Sequence, residues 1–117
     1  MRGERDAARV ADMLDAVRQL LAYAEGRARP DLDTDPMLRD AVLRQFEVLG
    51  EAARGVSEQR REELSEIPWR DIVSMRNRLI HAYADVDLDI VWSTLEREIP
   101  RLRDVLVSWL ANHLPDP

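Results

Sequence analysis

The chain has 117 residues, a formal net charge of −6, 34% charged residues and no cysteine. That length fits one domain over residues 1–117 with a hydrophobic core that needs no disulfide or metal staple. The lack of cysteine excludes thiolate zinc sites, disulfide frameworks and cysteine nucleophiles, and the two histidines, His81 and His113, are too few for a histidine-rich metal centre.

Neither a metal nor another cofactor is expected. The acidic balance argues against a general nucleic-acid binder, because nonspecific phosphate binding needs clustered positive charge. Its distribution matters more than its sum: residues 31–51 and 85–117 each carry a net −4, whereas 1–30 and 54–78 are each slightly positive. All 17 basic residues are arginine, which fits phosphate recognition and, more cheaply, a coding bias. No apolar run approaches the roughly 20 residues that cross a bilayer, and Met1-Arg2-Gly3-Glu4-Arg5-Asp6 lacks the apolar core of a signal peptide. A cytoplasmic protein without membrane contact is expected.

From Val10 the positions Val10, Met13, Leu14, Val17, Leu20, Leu21 and Ala24 recur every three or four residues, which predicts a helix ended by Gly26. Residues 26–35 read as a loop. Thr34 or Asp35 then caps a second helix with Pro36 in its first turn and a stripe of Leu38, Val42, Gln45 or Phe46, Leu49, Ala52, Ala53 and Val56. Gly50 lies inside that helix, where it costs about 1 kcal/mol relative to alanine; close approach of a neighbouring backbone would explain it. Ser57 precedes a short polar helix, and Glu66-Ile67-Pro68-Trp69 breaks the chain before a third long helix.

That third helix carries Ile72, Val73, Met75, Leu79 and Ile80 on its apolar side. Asp85-Val86-Asp87 offers a turn and a cap, after which Ile90, Val91, Leu95, Ile99, Leu102, Val105, Leu106 and Trp109 trace a last helix that Pro100 should kink or split. With no useful period-2 segment, the chain is read as all-α, an antiparallel bundle of four or five helices.

The chemistry is concentrated in Arg76-Asn77-Arg78-Leu79-Ile80-His81-Ala82-Tyr83. Arginine offers a fixed charge and a planar donor fork for phosphate oxygens, and an imidazole near its ordinary pKa of about 6.5 can give or take a proton at neutral pH. On an ideal helix of roughly 100° per residue, Arg76 and His81 lie about 140° apart and Arg76 and Tyr83 about 20° apart. One face cannot present them all; a helix ending near His81, or a second copy across a two-fold axis, would solve that. A charged solvent face with a histidine favoured by the helix C-terminus is the plainer account of the same spacing.

Other candidates have ordinary explanations. His113 reads as a solvated tail residue, and Asp85, Asp87 and Asp89 lack the glycine and glutamate of a calcium loop and suit capping. Trp69, Trp92 and Trp109 fall at or beside apolar helix positions, which favours packing over base stacking.

The motif and its surroundings resemble the HEPN superfamily, specifically the HepT-like (DUF86) toxins. The pattern of Arg, a polar residue, a short spacer, His, one residue and Tyr is met by Arg76, Asn77, Leu79-Ile80, His81 and Tyr83. Gly50-Glu51-Ala52, Ile67-Pro68-Trp69-Arg70, Val91-Trp92 and Ile99-Pro100-Arg101-Leu102 are similar landmarks in the same order, so the resemblance runs from about Asp12 to Leu110. It implies a HEPN-type helical bundle, a homodimer with two motifs at a shared cleft, and metal-independent endoribonuclease activity. It also implies a partner, an MNT-type nucleotidyltransferase antitoxin that adenylylates the motif tyrosine, here Tyr83.

The expected protein is therefore the ribonuclease toxin of a type II or type VII-like toxin–antitoxin pair. His81 would be the general acid/base and Arg76 the phosphate-binding and charge-stabilising residue; Asn77 would orient either. Arg78 would add RNA contact or form a salt bridge to the second helix. The rival expectation is a non-catalytic nucleotide-binding module that partners a nucleotidyltransferase.

Overall fold

The computed structural model describes residues 2–113, with side chains from Arg5. Helix α1 runs Arg2–Ala24 and buries Val10, Met13, Val17 and Leu20 completely. It begins more than two turns before Val10, because Asp6 and Ala7 continue its buried face. Asp6, only 2% exposed, accepts hydrogen bonds from the Ser57 backbone N–H (2.9 Å) and hydroxyl (2.6 Å). A carboxylate in a core position hides the end of a hydrophobic stripe. Gly26, at φ +72°, takes the left-handed turn after α1.

The segment 26–35, expected as a loop, contains one helical turn, α2 (Asp31–Thr34), which seats Leu32 in the core. Its sequence is almost wholly polar, so no periodicity announces it. Helix α3 spans Pro36–Arg54; its cap is Asp35, whose carboxylate accepts from Leu38 N–H at 3.1 Å. That hydrogen bond, with Arg27 at 3.0 Å second, holds the Asp35 pKa below the usual carboxylate value. Ser57 caps the polar α4 (Glu58–Glu63), accepting from Arg60 N–H at 3.3 Å.

Helix α5 (Trp69–His81) carries the motif and is followed by a 3₁₀ turn, Tyr83–Asp85. Asp87 caps α6 (Leu88–Arg97) by accepting from Asp89 and Ile90 N–H, at 2.9 and 3.4 Å. The break expected at Pro100 falls at Glu98, and α7 runs Ile99–His113 with Pro100 in its first turn, where a missing N–H costs nothing.

The long helices form an all-α bundle with α1 at its centre. Contact between Asp6 and Ser57 sets α1 antiparallel to α3, and α3 in turn runs antiparallel to α5, with Gly50 against Arg76 and Asp40 against Tyr83. Helix α7 packs on the other side of α1. Trp69 and Trp109 are buried and Trp92 is half-buried, its indole N–H donating to Glu96. Among the described residues no helix is long and apolar enough to cross a membrane.

Helix α5 is the least covered of the long helices. Only Trp69 and Leu79 are fully buried; Ile72, Val73 and Met75 are half-buried and Ile80 is 45% exposed. Between α3, α5, α6 and α7 an open groove of about 660 Å³ is floored by Ile72, Met75, Ile90, Leu102 and Val105.

Candidate active site

The motif is positioned by α3. At Gly50 the two helices come close: a Cβ there would collide with the Cβ of Arg76 and lie 3.1 Å from the Ile72 carbonyl oxygen. Absence of a side chain at residue 50 thus seats the Arg76 stem, as the interior glycine led one to expect, although the nearest atoms belong to the arginine side chain. The Arg76 head is 17% exposed and is held at both terminal nitrogens. Nη2 pairs with Glu51 Oε2 at 2.9 Å, and Nη1 donates to Asn77 Oδ1 at 3.0 Å. Its buried Nε–H has no acceptor among the described residues.

Glu51 also accepts from Arg54 on its own helix, at 3.3 Å, and is 57% exposed. The salt bridge from α5 to the second long helix is therefore made by Arg76, whereas Arg78 is exposed and borders the groove.

His81 is the last residue of α5 and is exposed, as is Asn77. The following Ala82 leaves helical geometry (φ −147°, ψ 49°), its N–H donating to the Arg78 carbonyl at 2.7 Å. The helix thus ends at the histidine, which leaves the imidazole at an open rim. Arg76 and His81 are both helical, so the turn of about 140° between them holds.

The same ending changes the place of Tyr83. Its side chain no longer follows the helical 20° relation to Arg76; its hydroxyl donates to Asp40 Oδ1 on α3 at 2.8 Å. Partial burial, then the Asp40 hydrogen bond and charge, raise the phenol pKa above 10.0. The residue as a whole is 46% exposed.

Sequence reasoning missed Asp40 as a partner of Tyr83 and gave Glu51 no role beyond a landmark. Their contacts are tertiary, and only Glu51, next to an unexplained interior glycine, carried a signal. His113 differs from a freely solvated tail residue: it lies flat on Trp109, ring centroids 4.1 Å apart and planes 9° from parallel, with Nδ1 2.7 Å from the Trp109 carbonyl oxygen. Aromatic stacking one helical turn away holds it. Asp89, as expected, is structural, pairing with Arg29 at 2.6 Å.

The profile of the family described as Ribonuclease HepT-like matches residues 13–108. A protein of Caldanaerobacter subterraneus subsp. tengcongensis named "Putative RNase" is 39% identical over 83 residues, 71% of this chain and 74% of that one. The "Probable ribonuclease HepT" of Thermococcus cleftensis is 33% identical over 92 residues, covering 79% of this chain and 84% of its own length. A longer Methanocaldococcus jannaschii protein, "Gamma-glutamylcyclotransferase and putative RNase", is 32% identical over 96 residues; the match takes in 82% of this chain but 43% of that protein. No solved structure matches the chain significantly. With a matched profile that spans most of the bundle, including all of α3, α5 and α6, the chain belongs to the HepT-like ribonuclease family.

Proposed function

We propose that this protein is a metal-independent endoribonuclease, the toxin of a HEPN/MNT toxin–antitoxin pair, which cuts RNA at a cleft shared by two copies. One observation carries the reading: α3 fixes the α5 cation Arg76, while α5 itself ends at an exposed His81 about 140° away. A fixed cation and a free proton carrier on two sides of one helix suit a site closed by a second α5. The open groove beside α5, lined by apolar residues together with Glu66, Asp71 and Glu98 and with Arg78 and Arg101, carries both charge signs and so supports a self-complementary dimer.

In this reading His81 takes the proton of the RNA 2′-hydroxyl. The O2′–P bond forms as the P–O5′ bond breaks, and the departing oxygen gains a proton from the second histidine or from water. Such acid–base help is worth about 10²–10⁴-fold. Arg76 holds the phosphate and stabilises its developing charge, and Asn77, already bound to Arg76, orients it. Arg78 adds contact to RNA. Control falls to the nucleotidyltransferase partner through adenylylation of Tyr83, which replaces the proton that Asp40 accepts by a charged phosphodiester.

The purified protein should cut RNA in EDTA to products with 2′,3′-cyclic phosphate and 5′-hydroxyl ends, because a 2′-hydroxyl attack needs only a proton acceptor and a cation. Arg76→Ala and His81→Ala should each abolish cutting with helical circular dichroism unchanged. Equal residual cutting by wild type and both variants would assign that activity to a contaminant and leave a nucleotide-binding module.

A further inference from the structure

The Arg76 fork is already occupied by a carboxylate. Glu51 Oε2 sits 2.9 Å from Nη2, at the distance of a charge-assisted hydrogen bond, and Asn77 takes Nη1. Each terminal nitrogen keeps a second N–H, but a phosphate that approaches the fork meets the Glu51 charge at Nη2, so full engagement is favoured when that carboxylate leaves. Asn77 is the neighbour of Arg76 on the same helix. Glu51 comes from another helix, is 57% exposed, and has a second partner waiting in Arg54 at 3.3 Å.

The two sides of this pair differ in freedom. Seated on Gly50 and 17% exposed, the arginine cannot follow a moving carboxylate. Glu51, in contrast, borders a solvent-open groove of about 520 Å³ between α1 and α3, so its side chain has room to swing while it keeps Arg54. Nothing is orphaned by the exchange. The acid keeps one of its two cations, and the arginine trades a carboxylate oxygen for a phosphate that can accept from two nitrogens.

We propose that Glu51 is an internal anion that occupies the phosphate seat of Arg76 in the free protein and yields it to Arg54 when RNA arrives. The proposal deepens the ribonuclease reading and rests on it for the identity of the incoming anion. Its consequence is a threshold. Glu51 is 57% exposed, so solvent screens its side of the pair and the occupied seat weakens phosphate capture by only several-fold. That is enough to discourage stray anions without closing the site to a polyanion.

The test separates the seat from the cutting. Inorganic sulfate is titrated into wild type, Glu51→Gln, Glu51→Ala and Arg76→Ala, and the ¹⁵N resonances of the Arg76 guanidinium report binding. Both Glu51 variants should bind sulfate at Arg76 several-fold more tightly than wild type, and the accompanying sulfate-induced shifts of α5 backbone amides should vanish in Arg76→Ala. In RNA cleavage the gain should appear in KM rather than in kcat. Unchanged or weaker sulfate binding in both Glu51 variants would overturn the proposal, as would a fall of kcat toward that of Arg76→Ala, which would make Glu51 a residue that aims the arginine. Tighter sulfate binding with no RNA cut by any variant would uphold the occupied seat and sink the ribonuclease reading alone.

Discussion

At the scale of single residues, Gly50 decides where Arg76 sits. Helix propensity alone favours alanine at an interior position by about 1 kcal/mol. Against that, a Cβ would strike the near end of the Arg76 side chain and crowd the Ile72 carbonyl, neither of which can step aside without moving α5. Overpacking of this kind costs about 1–3 kcal/mol, so the collision wins. Gly50→Ala should lower the melting temperature by several degrees and reduce RNA cleavage, since the added Cβ pushes the Arg76 stem out of its seat against α3. Gly55 is the built-in contrast. A Cβ there meets only the far end of the flexible Arg9 side chain, with Nε at 2.8 Å. Gly55→Ala should leave melting temperature unchanged or higher. Equal melting behaviour of the two variants by differential scanning calorimetry would refute the close approach at residue 50. Of this pairing the sequence disclosed half: a glycine inside a helix announces a close neighbour, but not which one.

At the scale of elements, legibility follows the range of the cause. The Asp35 and Ser57 caps, the Gly26 stop and the Asp87 cap each act within three or four residues, and all could be placed from spacing. The first turns of α1 escaped because their buried face includes Asp6, whose partner Ser57 is 51 residues away. The latch on the turn after α5 escaped for the same reason, since Tyr83 and Asp40 are 43 residues apart. Within α5, His81 at the helix end could be foreseen as one way to ease the angular constraint; the route of Tyr83 to α3 could not.

That latch has a pH signature. The folded chain holds the Tyr83 proton more tightly than the unfolded chain, through burial first and Asp40 second. A raised folded pKa gives stability that is complete below about pH 10 and lost as pH rises through the folded value. Tyr83→Phe removes both the hydrogen bond and this titration. Because the tyrosine is 46% exposed, the loss at neutral pH should fall at the low end of the ~0.5–1.5 kcal/mol typical of such a bond. Urea titrations should therefore show wild type slightly more stable at pH 7, with its advantage shrinking above pH 10. A constant advantage across that range would mean that the phenol is not held by Asp40 in solution. On the proposed reading, co-expression with an MNT-type nucleotidyltransferase should add adenylyl-sized mass increments to wild type and none to Tyr83→Phe.

At the scale of the whole molecule, the bundle is finished on the α1 side and unfinished along α5. Helix α1 has α3 and α7 packed on it and four residues with no exposure at all, whereas α5 contacts α3 and leaves its other flank to a groove. Ile90, on α6, stands 49% exposed at that groove opposite the half-buried Ile72 and Met75. A second copy would cover these apolar groups, and the rim, with three acids and two arginines, can pair with its own two-fold image. Arg76 and His81 are not part of the groove lining but flank it on the same helix, so the contact would bring two α5 helices, each with its motif, to one seam. Sedimentation at micromolar concentration should therefore give a dimer. Ile90→Glu places a charge where apolar contact is needed; it should weaken the dimer by at least about tenfold, equivalent to ~1.4 kcal/mol. The position is exposed in the single chain, so the helical circular dichroism and melting of the isolated bundle should persist while cleavage falls with the dimer fraction. Raising protein concentration should restore cleavage in Ile90→Glu but not in His81→Ala. A wild-type monomer that cuts RNA in proportion to its concentration would show that one chain assembles the site alone, and the groove beside α5 would lose its claim as the seam.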